Sequence, residues 1–169
     1  MEISTEGVLV LTSAKGLANT YKNKTFDYSF PEGLADILEA HVAIALQTSD
    51  GDELVIEFED EETDETPDNE IIRYIRLASE DELLVLSHAD FTMICSNNQG
   101  DYRQYGRSIE KIENIAEGLY EVKIKVWNPI EVDEDDEEEE EEGWFFRLSI
   151  SMKPVEEALH GNEVMEITD

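Results

Sequence analysis

The residue types that could form a nucleophile with its base are Cys95 and His88, seven positions apart. A cysteine becomes nucleophilic when a neighbouring imidazole takes its proton. Here, however, Phe91, Met93 and Cys95 fall on one face of an expected strand, Phe91–Ser96, which makes Cys95 a small core hydrophobe. His41 and His160 have no partner nearby in sequence. There is no G-x-S-x-G elbow and no glycine-rich loop that could cradle phosphate. Paired carboxylates could do acid–base work, but with 43 Asp and Glu in the chain no pair stands out. The chain is therefore expected to have no catalytic residues and no cofactor.

Carboxylates also bind metals, and the two acidic blocks are the places to test. An EF-hand loop needs Asp at its first position, Gly at its sixth and Glu at its twelfth. Starting at Asp133 the sixth residue is Glu138, and starting at Asp60 it is Glu65. Both lack the glycine that makes the turn. Weak, non-specific condensation of Ca²⁺ or Mg²⁺ on the charge is expected, with no dedicated metal site.

What remains is the charge itself. From Glu131 to Glu142 every residue but Val132 is a carboxylate, and Asp133, Glu134, Asp135, Asp136, Glu137, Glu138, Glu139, Glu140, Glu141 and Glu142 are unbroken. Such a run repels itself and cannot bury apolar surface, so it is expected as a solvated loop. In an extended chain side chains recur about every 3.3 Å, close to the about 3.4 Å between phosphates along one DNA strand. A basic surface built for nucleic acid would gain a comparable Coulomb and counter-ion effect from this run. Screening over about 8 Å at physiological salt lets several neighbouring charges act together. The bland alternative, a solvated loop with no partner, stays open on composition alone.

The totals agree with an anionic binding module. A net charge of −31 repels nucleic acid and anionic membrane and attracts basic proteins. Tyr102, Arg103, Tyr105 and Arg107 form the one basic–aromatic cluster in the sequence, in a chain too negative to hold phosphate. These side chains are expected to pack or to pair with nearby acids. A single cysteine permits no intramolecular disulfide, which fits a reducing compartment. The N-terminus has neither a signal peptide nor a membrane span, so the expected location is the cytosol.

The elements that must hold the run read as strands. With 169 residues and 40% apolar residues the chain can build one ordinary core. Expected strands are Gly7–Thr12, then Thr25–Phe30 with its alternating aromatics, then His41–Thr48 and Glu53–Phe58 joined as a hairpin by Ser49-Asp-Gly-Asp52. Ser13–Gly16 reads as a turn and Leu34–Glu39 as a single helical turn. Ile71–Leu77, Glu82–Ser87, Phe91–Ser96, Gly118–Trp127 and Trp144–Met152 follow as further strands. Ile109, Ile112 and Ile115 suit either a short helix or a strand. The sum is all-β: a single-domain antiparallel β-sandwich over 1–169 with about eight strands. It has an acidic loop at 59–70, an acidic hairpin loop at 131–142 and a tail or terminal helix from Pro154 to Asp169.

Three stretches carry a resemblance: Gly33–Gly51 with the strand after it, Gly118–Trp127, and Gly143–Pro154. Their order and spacing resemble the competence protein J family, bacterial inhibitors of a DNA-entry nuclease, and related small bacterial β-proteins. The acidic insertion between the last two strands departs from that family's pattern. The resemblance implies a non-enzymatic β-sandwich that inhibits or binds another protein, and it assigns no individual residue.

The leading expectation is a cytosolic, bacterial-type acidic protein that masks a basic surface, most concretely a nuclease inhibitor or immunity-type protein. Asp133 to Glu142 supply the attraction, and Glu59 to Glu70 add a second patch if the fold brings it alongside. Trp127 and Trp144, at the two roots of the run, are candidate apolar anchors, and at least one is expected in the core. Two other classes remain. A structural β-domain whose acidity serves solubility would spread its acids evenly, unlike the two blocks seen here. A carboxylate or metal enzyme would need converging carboxylates in a pocket away from the run.

Overall fold

The computed structural model describes residues 1–58, 65–128 and 145–167, with side chains left aside at 49–52. Its strands are β1 (Glu2–Ser13), β2 (Ala43–Phe58), β3 (Asn69–Leu77), β4 (Leu83–Ser87), β5 (Glu110–Ile112), β6 (Gly118–Trp127), β7 (Phe145–Val155) and β8 (Met165–Glu166). They join one sheet in the order β3-β6-β7-β2-β1-β4-β5, with β8 beside β2. The pairings β2–β7 and β2–β8 are parallel and the rest antiparallel. The expected two-sheet antiparallel sandwich is thus corrected: the fold is a single mixed sheet curled into a half-barrel, with helices on one side.

The apolar pattern explains which strands are central. Continuous apolar runs such as Val8–Leu11 and Leu83–Leu86 mark strands covered on both faces. Leu9, Leu11, Ile44, Leu46, Leu83 and Val85 point to the inner face, while Val8, Val10, Ala43, Ala45, Leu84 and Leu86 meet the helices. By contrast β6 alternates. Tyr120, Val122, Ile124 and Val126 face inward, and Glu121, Lys123, Lys125 and Trp127 face the uncovered side. Because the sheet curls, inward residues of β3, β6 and β7 pack directly on those of β1, β2 and β4. That contact replaces the second sheet of a sandwich.

The expected Asp-Gly hairpin does not form. Residues 43–58 are one long strand, paired along its length with β1, from Thr12↔Ala43 to Glu2↔Val55. The register shifts between Ser4 and Glu6 and again between Glu6 and Val8, where Gly7 has φ 94°. A bulge with a left-handed glycine bends the strand pair instead of reversing it. A local turn signal loses here to β1, which continues past it on one edge, and to β8 and β7, which pair before and after it on the other.

Helices appear where strands or turns were expected. Helix α1 (Ala14–Tyr21) starts at Ser13, whose hydroxyl accepts from the Gly16 N–H at 2.8 Å. Helix α2 (Ala35–Glu39) is the single helical turn expected at Leu34–Glu39. Helix α3 (His88–Asn97) replaces the expected strand at Phe91–Ser96. Ser87 caps it, accepting from the Asp90 N–H at 3.2 Å, and Phe91, Ile94 and Cys95 share its buried face while Met93 points out. Thr25–Phe30 is irregular, and its Phe26 ring packs against Tyr21 and Phe91. The Ile109–Ile115 region contributes the short strand β5.

The segment after Pro154 is neither a tail nor a helix through residue 167. Strand β7 runs on to Val155, β8 pairs with β2, and Ile167 is buried in the inner core. Asn162 closes the half-barrel. Its amide donates to the carbonyls of Tyr74 (2.6 Å) and Ala43 (2.8 Å) and accepts from the Tyr74 N–H (3.0 Å), which ties β3 to β2. Asn69 and Glu70, expected in the acidic loop, belong to β3. The loop residues 59–64 and 131–142 lie outside the described residues. Among the described residues no helix is long and apolar enough to cross a membrane.

Candidate partner-binding site

The acidic residues Asp133 to Glu142 lie outside the described residues, as does Trp144, so the site is built from the residues that root them. Strands β6 and β7 pair antiparallel up to Trp127↔Arg147, which sets the start and end of the connecting segment on neighbouring strands. Strand β3 lies on the other side of β6, with Asn69 opposite Val126. The end of the first acidic block therefore lies beside the end of β6, where the described chain stops at Asn128, at one corner of the sheet.

Thr66 and Asp68 are bonded there to the last described residues of the β6 side. The Trp127 indole N–H donates to the Thr66 carbonyl at 3.1 Å. The Asn128 N–H donates to the Asp68 carboxylate at 2.8 Å, and the Asp68 N–H donates to the Val126 carbonyl at 2.9 Å. Arg147 sits over this junction. Its guanidinium lies 4.4 Å from the centre of the Trp127 ring, a cation–π distance. One nitrogen reaches Glu65 at 2.5 Å, and Nε stands 3.8 Å from Glu57, near enough to attract but too far for a hydrogen bond. Trp127 is half-buried on the outer face and belongs to neither core, so it is available as an anchor at the root. The sequence reading passed over Arg147. The signal was its outward parity in Trp144–Met152, but linking it to Trp127 needs the strand register.

The residues considered for catalysis are placed elsewhere. Cys95 is buried in the helix-side core, and burial pushes its thiol far above the usual range, so it stays protonated and weakly nucleophilic at neutral pH. His88 packs edge-on to Phe30, ring centres 5.7 Å apart. His41 and His160 flank Tyr74, at 6.1 and 5.0 Å between ring centres. Burial first, then the charges of Arg76 and His160, pull His41 below its usual value.

Tyr102, Arg103, Tyr105 and Arg107 are engaged by acids, as the sequence suggested. Tyr102 and Arg103 each reach Glu82 at 2.6 Å, Tyr105 donates to Asp90 at 2.7 Å, and Arg107 lies 3.8 Å from Asp90. Burial pushes Glu82 up, yet hydrogen bonds from Lys111 and Tyr102 and the charge of Arg103 outweigh it and hold the carboxyl below its ordinary range. A cavity of about 370 Å³ lies away from the acidic roots, lined by Tyr21, Lys22, Lys24, Phe26, Tyr28 and Cys95 among others, with no carboxylate in its wall. A smaller one of about 190 Å³ is lined by Glu2, Asp90 and Glu110, but Tyr105 and Ser87 already occupy both oxygens of Asp90. Among the described residues no three His, Cys, Asp or Glu are grouped to hold a metal ion.

No family model matches the chain, and no curated protein does. Two solved structures are similar. One is ComJ from Bacillus subtilis, described as an inhibitor of the DNA-degrading activity of NucA, at 10% identity and TM-score 0.48, covering 92% of this chain and 94% of that one. The other is crocagin biosynthetic gene J, at 11% identity and TM-score 0.47, covering 89% of this chain and 94% of that one. The chain thus resembles, weakly, the protein that its sequence pattern pointed to.

Proposed function

We propose that this protein is a non-enzymatic acidic binding protein that masks a basic protein surface, most concretely an inhibitor or immunity-type partner of a nuclease. The observation that carries the reading is the junction at the corner of the sheet, where Thr66 and Asp68 bond directly to Trp127 and Asn128. These bonds join the chain that follows the first block to the chain that leads toward the second, which supports a reading in which the two act together. The carboxylates of Asp133 to Glu142 supply the long-range attraction, and those of Glu59 to Glu70 add a second negative patch. Low-dielectric walls are not needed for this, because a dense row of like charges acts collectively within a Debye length of about 8 Å. A nuclease is the favoured partner class because its cationic groove is built for charges about 3.4 Å apart along a strand, and an extended acidic run offers nearly the same spacing.

The test is a pull-down from lysate at low salt with the intact protein and with Asp133–Glu142 replaced by a Gly/Ser linker. The intact protein should retain a specific basic partner, the replaced one should not, and duplex DNA should displace that partner. An affinity unchanged between low and high ionic strength would sink the reading.

A further inference from the structure

The cavity of about 370 Å³ between the end of α1, the stretch 22–28 and the end of α3 has no part in the reading above. Its size suits a small organic ligand. We propose that it is a binding site for a small aromatic carboxylate, held by the Tyr21 hydroxyl and the Lys22 ammonium. The inference goes beyond the acidic surface and does not rest on it.

Two observations carry it. The first is an orphaned donor. Tyr21 lines the cavity and is 1% exposed, and its hydroxyl has no hydrogen-bond partner among the described residues. A buried polar group without a partner is costly, and in a cavity wall it points to a ligand that supplies the acceptor. Burial first, then Cys95, Asp36 and Asp27, push the phenol up, so it stays protonated and ready to donate. The hydroxyl meets no solvent in the free protein, so a ligand gains it by a local shift of the wall. The irregular stretch 22–30 is the part of the wall best able to give.

The second observation is the sign of the wall. Of 169 residues 43 are Asp or Glu, yet none of them lines this cavity, whereas Lys22 and Lys24 both do. Lys24 is bonded to Asp36, while Lys22 makes no ion pair with another described residue. Aromatic surface stands beside these donors. The Phe26 ring lies 5.7 Å from Tyr21 and 4.9 Å, edge-on, from Tyr28. Tyr28 is 71% exposed, a ring that the fold itself does not bury. An aromatic acid answers each feature: its ring packs on Phe26 and Tyr28, and its carboxylate accepts from Tyr21 and pairs with Lys22.

The test sets this local chemistry against the charge of the whole chain. The full chain is titrated with para-fluorobenzoate and with the cation para-fluorobenzylamine, followed by fluorine NMR in about 0.15 M salt, where charges beyond about 8 Å are screened. A net charge of −31 favours the amine everywhere else on the molecule. The carboxylate should nonetheless bind with Kd below about 1 mM, ordinary for a ligand of its size, and about tenfold more tightly than the amine. Amide shifts should centre on Lys22, Thr25, Ser96 and Gln99. Tyr21→Phe should weaken binding about tenfold while Tm stays level or rises, because the hydroxyl bonds to nothing in the fold. Lys22→Ala changes an exposed side chain that the fold does not need, and it should weaken binding about threefold. The inference is overturned by the absence of saturable binding of the carboxylate, by a preference for the amine, or by amide shifts elsewhere. It also falls if Tyr21→Phe binds as the unaltered chain does, which is the outcome when a water alone satisfies the hydroxyl.

Discussion

The two halves of the curled sheet are built on different terms. In the half made of β1, β4 and the first part of β2, both faces are buried, one by the inner core and the other by α1, α2 and α3. Its buried polar groups are few, and the best satisfied is Asp81, while the buried Tyr21 hydroxyl makes no hydrogen bond among the described residues. Asp81, 3% exposed, accepts from the Ser13 hydroxyl at 2.6 Å and from the backbone N–H groups of Lys15, Ala78 and Glu82 at 2.8–3.0 Å. In the half made of β3, β6 and β7 only the inner face is apolar. The outer face carries Trp127, Arg147 and the roots of both acidic blocks. Stability is concentrated in the first half and charge in the second. A self-repelling polyanion costs least when it is tethered to a part of the fold that already meets water on one side.

Substitutions should sort by half, and the largest effect is expected in the helix-backed one. Phe91→Ala empties a fully buried site between Tyr21 and Phe26 and should cost about 4 kcal/mol in denaturant unfolding. Asp81→Ala strands the buried Ser13 hydroxyl and three part-buried backbone N–H donors and should cost about 2 kcal/mol. A value below 1 kcal/mol for either would break the division of labour. Next comes the seam between the halves: Asn162→Ala removes three side-chain hydrogen bonds to the backbone of Tyr74 in β3 and Ala43 in β2. It should cost about 2 kcal/mol and selectively deprotect the Tyr74 amide in hydrogen exchange.

Smaller still is a pH effect. Glu82 titrates below its ordinary value in the folded state, so its contribution is present above the ordinary carboxylate pKa and is lost as the pH falls through the lower folded value. Glu82→Gln should therefore remove part of the acid limb of the stability curve and flatten it between about pH 4.3 and lower pH, read by urea midpoints across a pH series. The smallest effect should come from the charge-rich half. Replacing Asp133–Glu142 by Gly/Ser should shift Tm by less than about 3 °C, and upward, because self-repulsion falls. A large drop in Tm would mean that the run contributes to the fold and would erase the contrast.

Several local signals in the chain pointed correctly and others were overruled. The alternation in Gly118–Trp127 placed β6 with both ends right, since a one-sided strand writes its burial directly into its sequence. Phe91–Ser96 reads as a strand by the alternation of Phe91, Met93 and Cys95, yet it lies in a helix. The Ser87-His-Ala-Asp90 capping pattern was the available sign that it opens a helix. Asp50-Gly51 is a strong hairpin cue, yet β2 runs straight through it because β1 on one edge and β7 and β8 on the other give both halves continuous partners. The aromatics of Thr25–Phe30 alternate as in a strand, but Phe26 is spent on Tyr21 and Phe91 instead.

The same boundary runs through the site. The sequence alone determined that the chain is a polyanion with its acids in two blocks, that Cys95 has no disulfide partner within the chain, and that a strand precedes and another follows the longer block. These are properties of a residue list and its short-range periodicity. Only the tertiary structure decided that one sheet curls into a half-barrel, that the roots of the two blocks share a corner, and that Arg147 lies on Trp127 between Glu57 and Glu65. Those facts depend on strand order and register across many tens of residues, where a shift of one position would turn Arg147 to the opposite face.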